Sequence, residues 1–410
     1  MTTTSPLRPS REAVRARAAV NALFFTNGAI FSNLLPRYPE IKADLDLSNV
    51  AFGAAVAAFP LGALIAGLSA GFLVRRFRSS RVAVAAAVLS SLGVLAAGAS
   101  PVWALLALGL LVGGAMDSIT DVAQNSHGLR VQRLYGRSIL NSFHAVWSIG
   151  AVVGGLLGAA AAQAAIPVAL HLTISAIVFS ALAVASYRFL LPGAEPTEVP
   201  ATPHAAPRIA GRAGGLLAKY GALAALVLIA CSGAIVEDAG ASWSAIYLSG
   251  SLGASAFLAG VGFIALQGMQ FVGRIFGDRL VDRFGQRAVA RVGGAVVFVG
   301  MGIALAFPTL TGTIIGFGLS GLGVATLIPA ARHAADELPG FRAGSGLTIV
   351  SWLLRLGFLV SPPLVGAIAD ATSLRYGLLI VPFAGLLVVA CAGVLSKRVA
   401  HPDHQKEARQ

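Results

Sequence analysis

Apolar runs of about 20 residues recur along almost the whole chain, each long enough at roughly 1.5 Å per residue to cross a roughly 30 Å hydrocarbon core. That repetition restricts the fold more than anything else in the sequence. A backbone in lipid must satisfy its own hydrogen bonds, so runs of this length are helices. The predicted spans are residues 17–36, 49–74, 82–100, 102–126, 139–162 and 166–190, then 219–238, 254–277, 288–307, 309–331, 343–369 and 374–396. Composition agrees, with 56% of the 410 residues hydrophobic and only 11% charged, which excludes a water-soluble domain. The 48 glycines would destabilise soluble helices, whereas in a bilayer small residues let helix backbones pack closely.

The formal net charge of +13 would suggest a nucleic-acid partner if the basic residues formed one patch. They fall instead in every second gap between runs, at Arg8 to Arg17, Arg75 to Arg81, Arg130 to Arg137, Arg208 to Lys219, Arg279 to Arg291, Arg332 with Arg342, and Lys397 to Arg409. The opposite gaps hold only Arg37, Lys42 and Arg375. By the positive-inside rule this excess reports topology: a multi-pass cell-membrane protein with both termini cytoplasmic and no nucleic-acid partner. The first run lacks a small-residue cleavage site and is expected to be retained. Cys231 and Cys391 lie in different runs without metal or redox spacing and read as packing residues.

The chain is also duplicated. At a constant offset of 207 (284 − 77, 308 − 101, 357 − 150), Gly53 matches Gly260, Phe77 matches Phe284, Pro101 matches Pro308, Gly109 matches Gly316, Gly114 matches Gly321 and Gly150 matches Gly357. The matches fall at the same points of corresponding spans, which implies two parallel six-helix repeats. The domain order expected is a tail over 1–16, a bundle over 17–190, a Pro-, Gly- and Ala-rich linker over 191–218, a second bundle over 219–396 and a tail over 397–410.

After the eighth span the sequence reads Gly277-Asp278-Arg279-Leu280-Val281-Asp282-Arg283-Phe284-Gly285-Gln286-Arg287, which resembles the cytoplasmic loop signature of the major facilitator superfamily. In that loop Gly285 permits a tight turn, Arg283 and Arg287 hold the inner surface, and Asp282 can face a helix N-terminus or an arginine when the inner side closes. A topogenic charged loop is the alternative reading. The first-half copy, Gly71 to Arg81, carries Arg75 in place of the acid and Arg78 in place of the glycine. Stretches from Gly114 to Asn125, Asn141 to Gly150, Glu237 to Tyr247 and Ser361 to Gly366 resemble a bacterial inner-membrane branch related to fucose-permease-like carriers. The resemblance implies an all-α membrane protein of two pseudo-symmetric six-helix bundles, a single-chain permease driven by an ion gradient, without a cofactor or metal.

Asp117 and Asp121 share a face of the fourth span, continued by Gln124 and Asn125. A carboxyl at membrane depth is costly unless paired or facing water, so the pair marks a proton relay or substrate site, or else a hydrogen bond between helices. Asp121 and His144 lie equally far, 11.5 positions, from the centre of the loop joining spans four and five (132.5 − 121, 144 − 132.5). They are expected at one depth, able to share a proton, although a lone His there also fits an interfacial role. Arg355, in the eleventh span, is the expected substrate-facing cation, or a salt-bridge partner of Asp117 or another acid across the cavity. Glu237 and Asp238 stand at the expected outer end of the seventh span, before Ala239-Gly240-Ala241-Ser242, where a broken helix would free backbone groups. Trp243 and Tyr247 suit stacking on a ligand or anchoring at the interface. Asn27, near Phe24, Phe25 and Phe31, and Gln267 with Gln270 offer neutral hydrogen bonding, to a ligand or between helices.

Two apparent motifs are discounted. Gly316 to Gly321 fits GxGxxG but lies inside an apolar run, without the strand and acid that dinucleotide binding needs. Gly150 to Gly155 only partly resembles the glycine motif of facilitator antiporters. No HExxH or P-loop occurs, which argues against an enzyme. The expected function is proton-coupled permeation of a small organic solute by a monomer, with proton coupling at Asp117, Asp121, His144 and Glu237. Substrate would be held by Asn27, Asp117, Gln267, Gln270, Arg355 and Trp243. The alternatives are a proton-antiporting exporter of drug-like or secondary metabolites and a non-transporting receptor.

Overall fold

The computed structural model describes residues 10–136, 138–193, 216–339, 341 and 344–397. Most of the expected linker, the ends of both tails, Arg137 and Arg342 lie outside the described residues. The helices are α1 (Arg11–Ser32), α2 (Tyr38–Asp44), α3 (Asn49–Phe77), α4 (Ser79–Gly98), α5 (Trp103–Tyr135), α6 (Leu140–Gln163), α7 (Val168–Tyr187) and α8 (Leu216–Leu252). They continue as α9 (Ala256–Phe284), α10 (Gln286–Ala306), α11 (Leu310–Val324), α12 (Leu327–Asp336), α13 (Ser345–Ala371), α14 (Leu374–Gly377) and α15 (Ile380–Cys391). With α1–α2, α11–α12 and α14–α15 each counted as one crossing, the described residues contain 12 spans long and apolar enough to cross a membrane.

The duplication is visible in the helix boundaries. Shifted by 207, α3 (49–77) becomes α9 (256–284), and the starts of α4 and α5 (79, 103) become those of α10 and α11 (286, 310). The caps are copied too: Ser48 accepts from Ala51 N at 3.2 Å and Ser255 from Leu258 N at 3.4 Å, each satisfying an orphan donor of the first turn. Within each half the same close approach recurs. A Cβ on Gly114 would meet the Phe59 carbonyl, and one on Gly321 would meet the Leu266 carbonyl, and 59 + 207 is 266. These glycines let α5 lie against α3, and α11 against α9, backbone to backbone.

The turn between α3 and α4 shows what the degraded copy retains. Gly285 links α9 to α10 at φ 82°, ψ 154°, and its counterpart Arg78 holds nearly the same conformation at φ 74°, ψ 140°. An arginine therefore occupies backbone space that glycine enters without steric cost.

Three expected boundaries need correction. The seventh span does not end at 238 and α8 is not broken at 239–242; it runs unbroken to Leu252, so Glu237 and Asp238 lie within it. Their charges read as an end in the sequence, but a helix inside a bundle carries acids wherever it faces a cavity. The fourth span continues past 126 to Tyr135, and the tenth past 331 to Asp336.

The first and last described residues, Ser10 and Lys397, lie at one face, termed here the terminal face. At the opposite face the two bundles are closed. A Cβ on Gly53 of α3 would meet the Pro362 carbonyl of α13, one on Gly366 of α13 the Asn49 carbonyl, and one on Gly260 of α9 the side chains of Ala159 and Pro36. Asp370, near the end of α13, caps the start of α3 in the other bundle: its carboxylate accepts from Asn49 N at 2.9 Å, Asn49 Nδ2 at 2.8 Å and Val50 N at 2.8 Å. Gln163 Oε1, ending α6, accepts from Phe257 N of α9 at 3.1 Å. Inside these contacts an aromatic plug joins the halves, with Tyr38 edge-on to Phe52 (centroids 5.1 Å apart) and Phe52 edge-on to Trp243 (5.5 Å).

Candidate functional site

Between the bundles, below the plug, lies a cavity of about 360 Å³. Its first-half wall is built by α1, α3, α5 and α6, and its second-half wall by α8, α9, α12 and α13. Asp117 and Arg355 both line it, as do Asn27, Asp121, Glu237 and Gln267. The helical spacing of 117 and 121 turns both carboxylates inward, whereas Gln124 is directed toward α1.

The first-half wall is organised around Asn27. Its Nδ2 donates to Asp117 Oδ1 at 2.7 Å, and its Oδ1 accepts from Trp147 Nε1 at 2.9 Å and Gln124 Nε2 at 3.2 Å. One amide on α1 thus fixes groups from α5 and α6. The close packing of α1 on α6 that permits this depends on Gly28, Gly150 and Gly154, where a Cβ would meet the carbonyls of Trp147, Phe25 and Ala29.

Asp121 lies one turn closer to the terminal face. Its Oδ1 accepts from Asn125 Nδ2 at 2.9 Å, and its charge interacts with His144 and Arg355. His144, expected at the depth of Asp121, lies near enough for the two charges to interact, with no hydrogen bond between them among the described contacts. His144 does not line the cavity; it sits edge-on to Phe24 at 5.2 Å and also feels Arg274. Asp121, His144, Arg274 and Arg332 are all exposed and all lie on the terminal-face side, so the cavity opens that way.

On the second-half wall Arg355 Nη1 donates to the Ala63 carbonyl of α3 at 3.2 Å, and the guanidinium charge is felt at Asp121 across the cavity. Glu237 Oε2 accepts from Gln270 Nε2 at 3.0 Å. Gln270 is buried and does not line the cavity; it positions Glu237. Gln267 is 3% exposed, lines the cavity, and leaves its amide nitrogen without a protein acceptor. Trp243 is not a cavity residue: it is fully buried in the plug, because the unbroken α8 carries it past the cavity. In the loop, Asp282 and Arg283 are exposed, Arg283 lies over the Phe284 ring at 5.3 Å, and Arg287 tethers the chain end by bonds from its N to Ser396 O (3.0 Å) and its Nε to Leu395 O (2.9 Å).

Sequence reading missed Arg332, which counted there among loop charges. It lines the cavity from α12, since the tenth span extends past it. It also did not single out the aromatic lining of Phe59, Phe263 and Phe358, because aromatic residues in an apolar run carry no signal of which way they face.

A sequence model of the Major Facilitator Superfamily matches residues 20–279 and 238–410. The chain belongs to this family. It is 30% identical over 380 residues to an uncharacterized transporter, y4wD, of Sinorhizobium fredii, covering 92% of this chain and 97% of that one. It is 29% identical over 393 residues to membrane protein MosC of Rhizobium meliloti, covering 95% and 91% respectively. Among solved structures, a mutant of the nucleoside transporter NupG superposes with a TM-score of 0.75 at 11% identity (93% and 100% covered). A D-xylose-proton symporter superposes at 0.66 with 17% identity (95% and 98% covered). As a superfamily member this protein is a multi-pass secondary transporter and not an enzyme, with the twelve-helix, two-bundle fold that its sequence implied. Two such bundles closed at one face and parted at the other are the geometry of alternating access.

Proposed function

We propose that this facilitator moves a small, polar organic solute in exchange for, or together with, protons. The supporting observation is the Asn27–Asp117 hydrogen bond on the cavity wall: a carboxylate at mid-membrane held by an amide and by no cation. The charge balance of the wall points the same way. Among the described residues, the cavity lining carries four acids, Asp117, Asp121, Glu237 and Asp238, against two arginines, Arg332 and Arg355, and protonation relieves the excess.

Asp117, Asp121 and Glu237 are read as proton-carrying groups, with His144 the exchange partner of Asp121 at the mouth. Asn27, Asp117, Gln267 and Arg355 are read as the substrate contacts, Gln267 offering a free donor. A volume of about 360 Å³ suits a metabolite more than a lipid or a large drug. The terminal face is taken as cytoplasmic from its arginines, and the Asp282-to-Arg287 loop as the gate at that face. The monomer is the transporting unit, since the cavity lies wholly within one chain.

The test is flux in proteoliposomes of known orientation, with sugars, organic acids, amines and nucleosides offered under an imposed pH gradient. Gradient-driven accumulation of one class, lost in Asp117→Asn, is expected; flux indifferent to both the gradient and the substitution refutes proton coupling. Export is the second reading, favoured by the aromatic lining at Phe31, Phe59, Trp147, Phe263 and Phe358. A 28% identical match over 123 residues to the enterobactin exporter EntS of Citrobacter koseri lends it some weight. Substrate gain against the pH gradient in vesicles of one orientation only separates the two.

A further inference from the structure

Asp238 has no assigned part in the site above, yet its surroundings are unlike those of the other acids. It lies on α8 between the cavity and the aromatic plug, with Oδ2 shut away from solvent and without a hydrogen-bond partner. Oδ1 receives a long contact, 3.4 Å, from Ser242 Oγ. Beside the carboxylate lie the Ser361 hydroxyl from α13, placed to hydrogen-bond it, and the Tyr38 phenol from α2, near enough to feel its charge; both residues are fully buried, and the phenol oxygen has no hydrogen-bond partner. The other titratable neighbour is Glu237, which is engaged with Gln270. A buried carboxylate and two buried hydroxyls, from α8, α13 and α2, are thus neighbours at the seam of the two bundles.

We propose that Asp238, Ser242, Ser361 and Tyr38 form a proton-binding site whose occupancy holds the face opposite the termini closed; the proposal rests on the proton-coupled reading. A buried carboxylate that meets hydroxyls and no cation is stable there only when neutral. Because α8 is unbroken through 238, its carbonyls are committed to the helix and the groups around the acid are hydroxyls. Such groups accept or donate to a carboxyl proton, whereas a dehydrated metal ion needs more oxygen ligands. Tyr38 belongs to the first half, while Asp238 and Ser361 belong to the second. Parting the halves therefore withdraws the phenol and brings water to the carboxylate, which then releases its proton to that side. Proton transfer runs from Asp238 Oδ2–H to water, and rebinding precedes closure.

The experiment needs no substrate. Full-length protein carrying Cys231→Ser, Cys391→Ser, Ala43→Cys and Ala371→Cys is spin-labelled across the closed face, placed in lipid nanodiscs, and its inter-label distances are measured from acid to alkaline pH at constant and at varied sodium. The expected result is a shift from short to long distances as pH rises, lost in Asp238→Asn, which stays short throughout. In Tyr38→Phe the pH at which the distances lengthen is expected to move, since a buried hydroxyl that feels the carboxylate charge is gone. That variant serves if Asp238→Asn does not fold. A parental pH response retained unchanged in either variant, or opening driven by sodium at fixed pH, overturns the proposal while leaving transport intact. A parent that ignores pH removes the proton-coupled reading as well; the flux assay judges transport separately.

Discussion

Asn27 and Asp117, 90 positions apart in sequence, are joined by a 2.7 Å hydrogen bond on which the first-half wall of the cavity is organised. The same amide accepts from Trp147 and Gln124, so its removal would leave two donors and one carboxylate to find water. A hydrogen bond to a charged group contributes about 1.5–3 kcal/mol, which corresponds to roughly tenfold or more in rate. Asn27→Ala is therefore expected to lower transport by about tenfold or more at near-normal expression. Uptake indistinguishable from the parent would reduce Asn27 to a packing residue.

Arg78 predicts a stabilising substitution. At φ 74°, ψ 140° a non-glycine residue costs of order 1–3 kcal/mol, and its repeat partner Gly285 avoids that cost. Arg78→Gly should raise the thermal unfolding temperature in detergent by a few degrees, whereas Arg78→Lys, which keeps the charge and the strain, should not. Gly285→Ala should lower it. Equal melting of all four proteins would show that the turn is not strained.

Asp370 bridges the bundles at an exposed position, so its effect is expected to be small and conformational. A carboxylate at a helix N-terminus is worth about 0.3–1 kcal/mol when exposed, or up to about fivefold in the open-to-closed ratio. In Asp370→Ala, a cysteine at Val56, buried beneath this closure, should react faster with a membrane-impermeant maleimide added at this face. Unchanged labelling would assign closure to the glycine contacts alone.

Gly114 and Gly321 should fail alike. A methyl group at either meets a backbone carbonyl, of Phe59 or Leu266, which cannot rotate away as a side chain can. Overpacking of this kind costs about 1–3 kcal/mol or more. Both alanine variants should melt lower than the parent, and by similar amounts. A large effect at one site and none at the other would mean that the halves do not share this packing.

Much of the fold was legible because its signals are local or periodic. Run length, the alternation of arginines and the 207-residue offset require no knowledge of which helices touch. The site was legible in part: Asn27, Asp117, Asp121, Glu237, Gln267 and Arg355 stood out as polar groups that lipid would reject, and all line the cavity. Trp243 and Gln270 did not follow, since a residue's place along a span does not reveal whether it faces a cavity or a neighbouring helix. Arg332 was lost to the loops because a charge near a span end reads as the end itself.

The sequence by itself determined the helical class, the number of crossings and the duplication, since lipid allows a long apolar run one hydrogen-bonded form and a repeat copies it. Only the tertiary structure decided that α8 continues past its acids, that Arg355 reaches the Ala63 carbonyl of the other half, and that Tyr38 and Ser361 lie near Asp238. Those facts depend on how far each helix is rotated and where the two halves meet. Such rotations are set by backbone-to-backbone contacts between residues such as Phe59 and Gly114, 55 positions apart (114 − 59), or Gly53 and Pro362, 309 apart (362 − 53), whose energies no local pattern records.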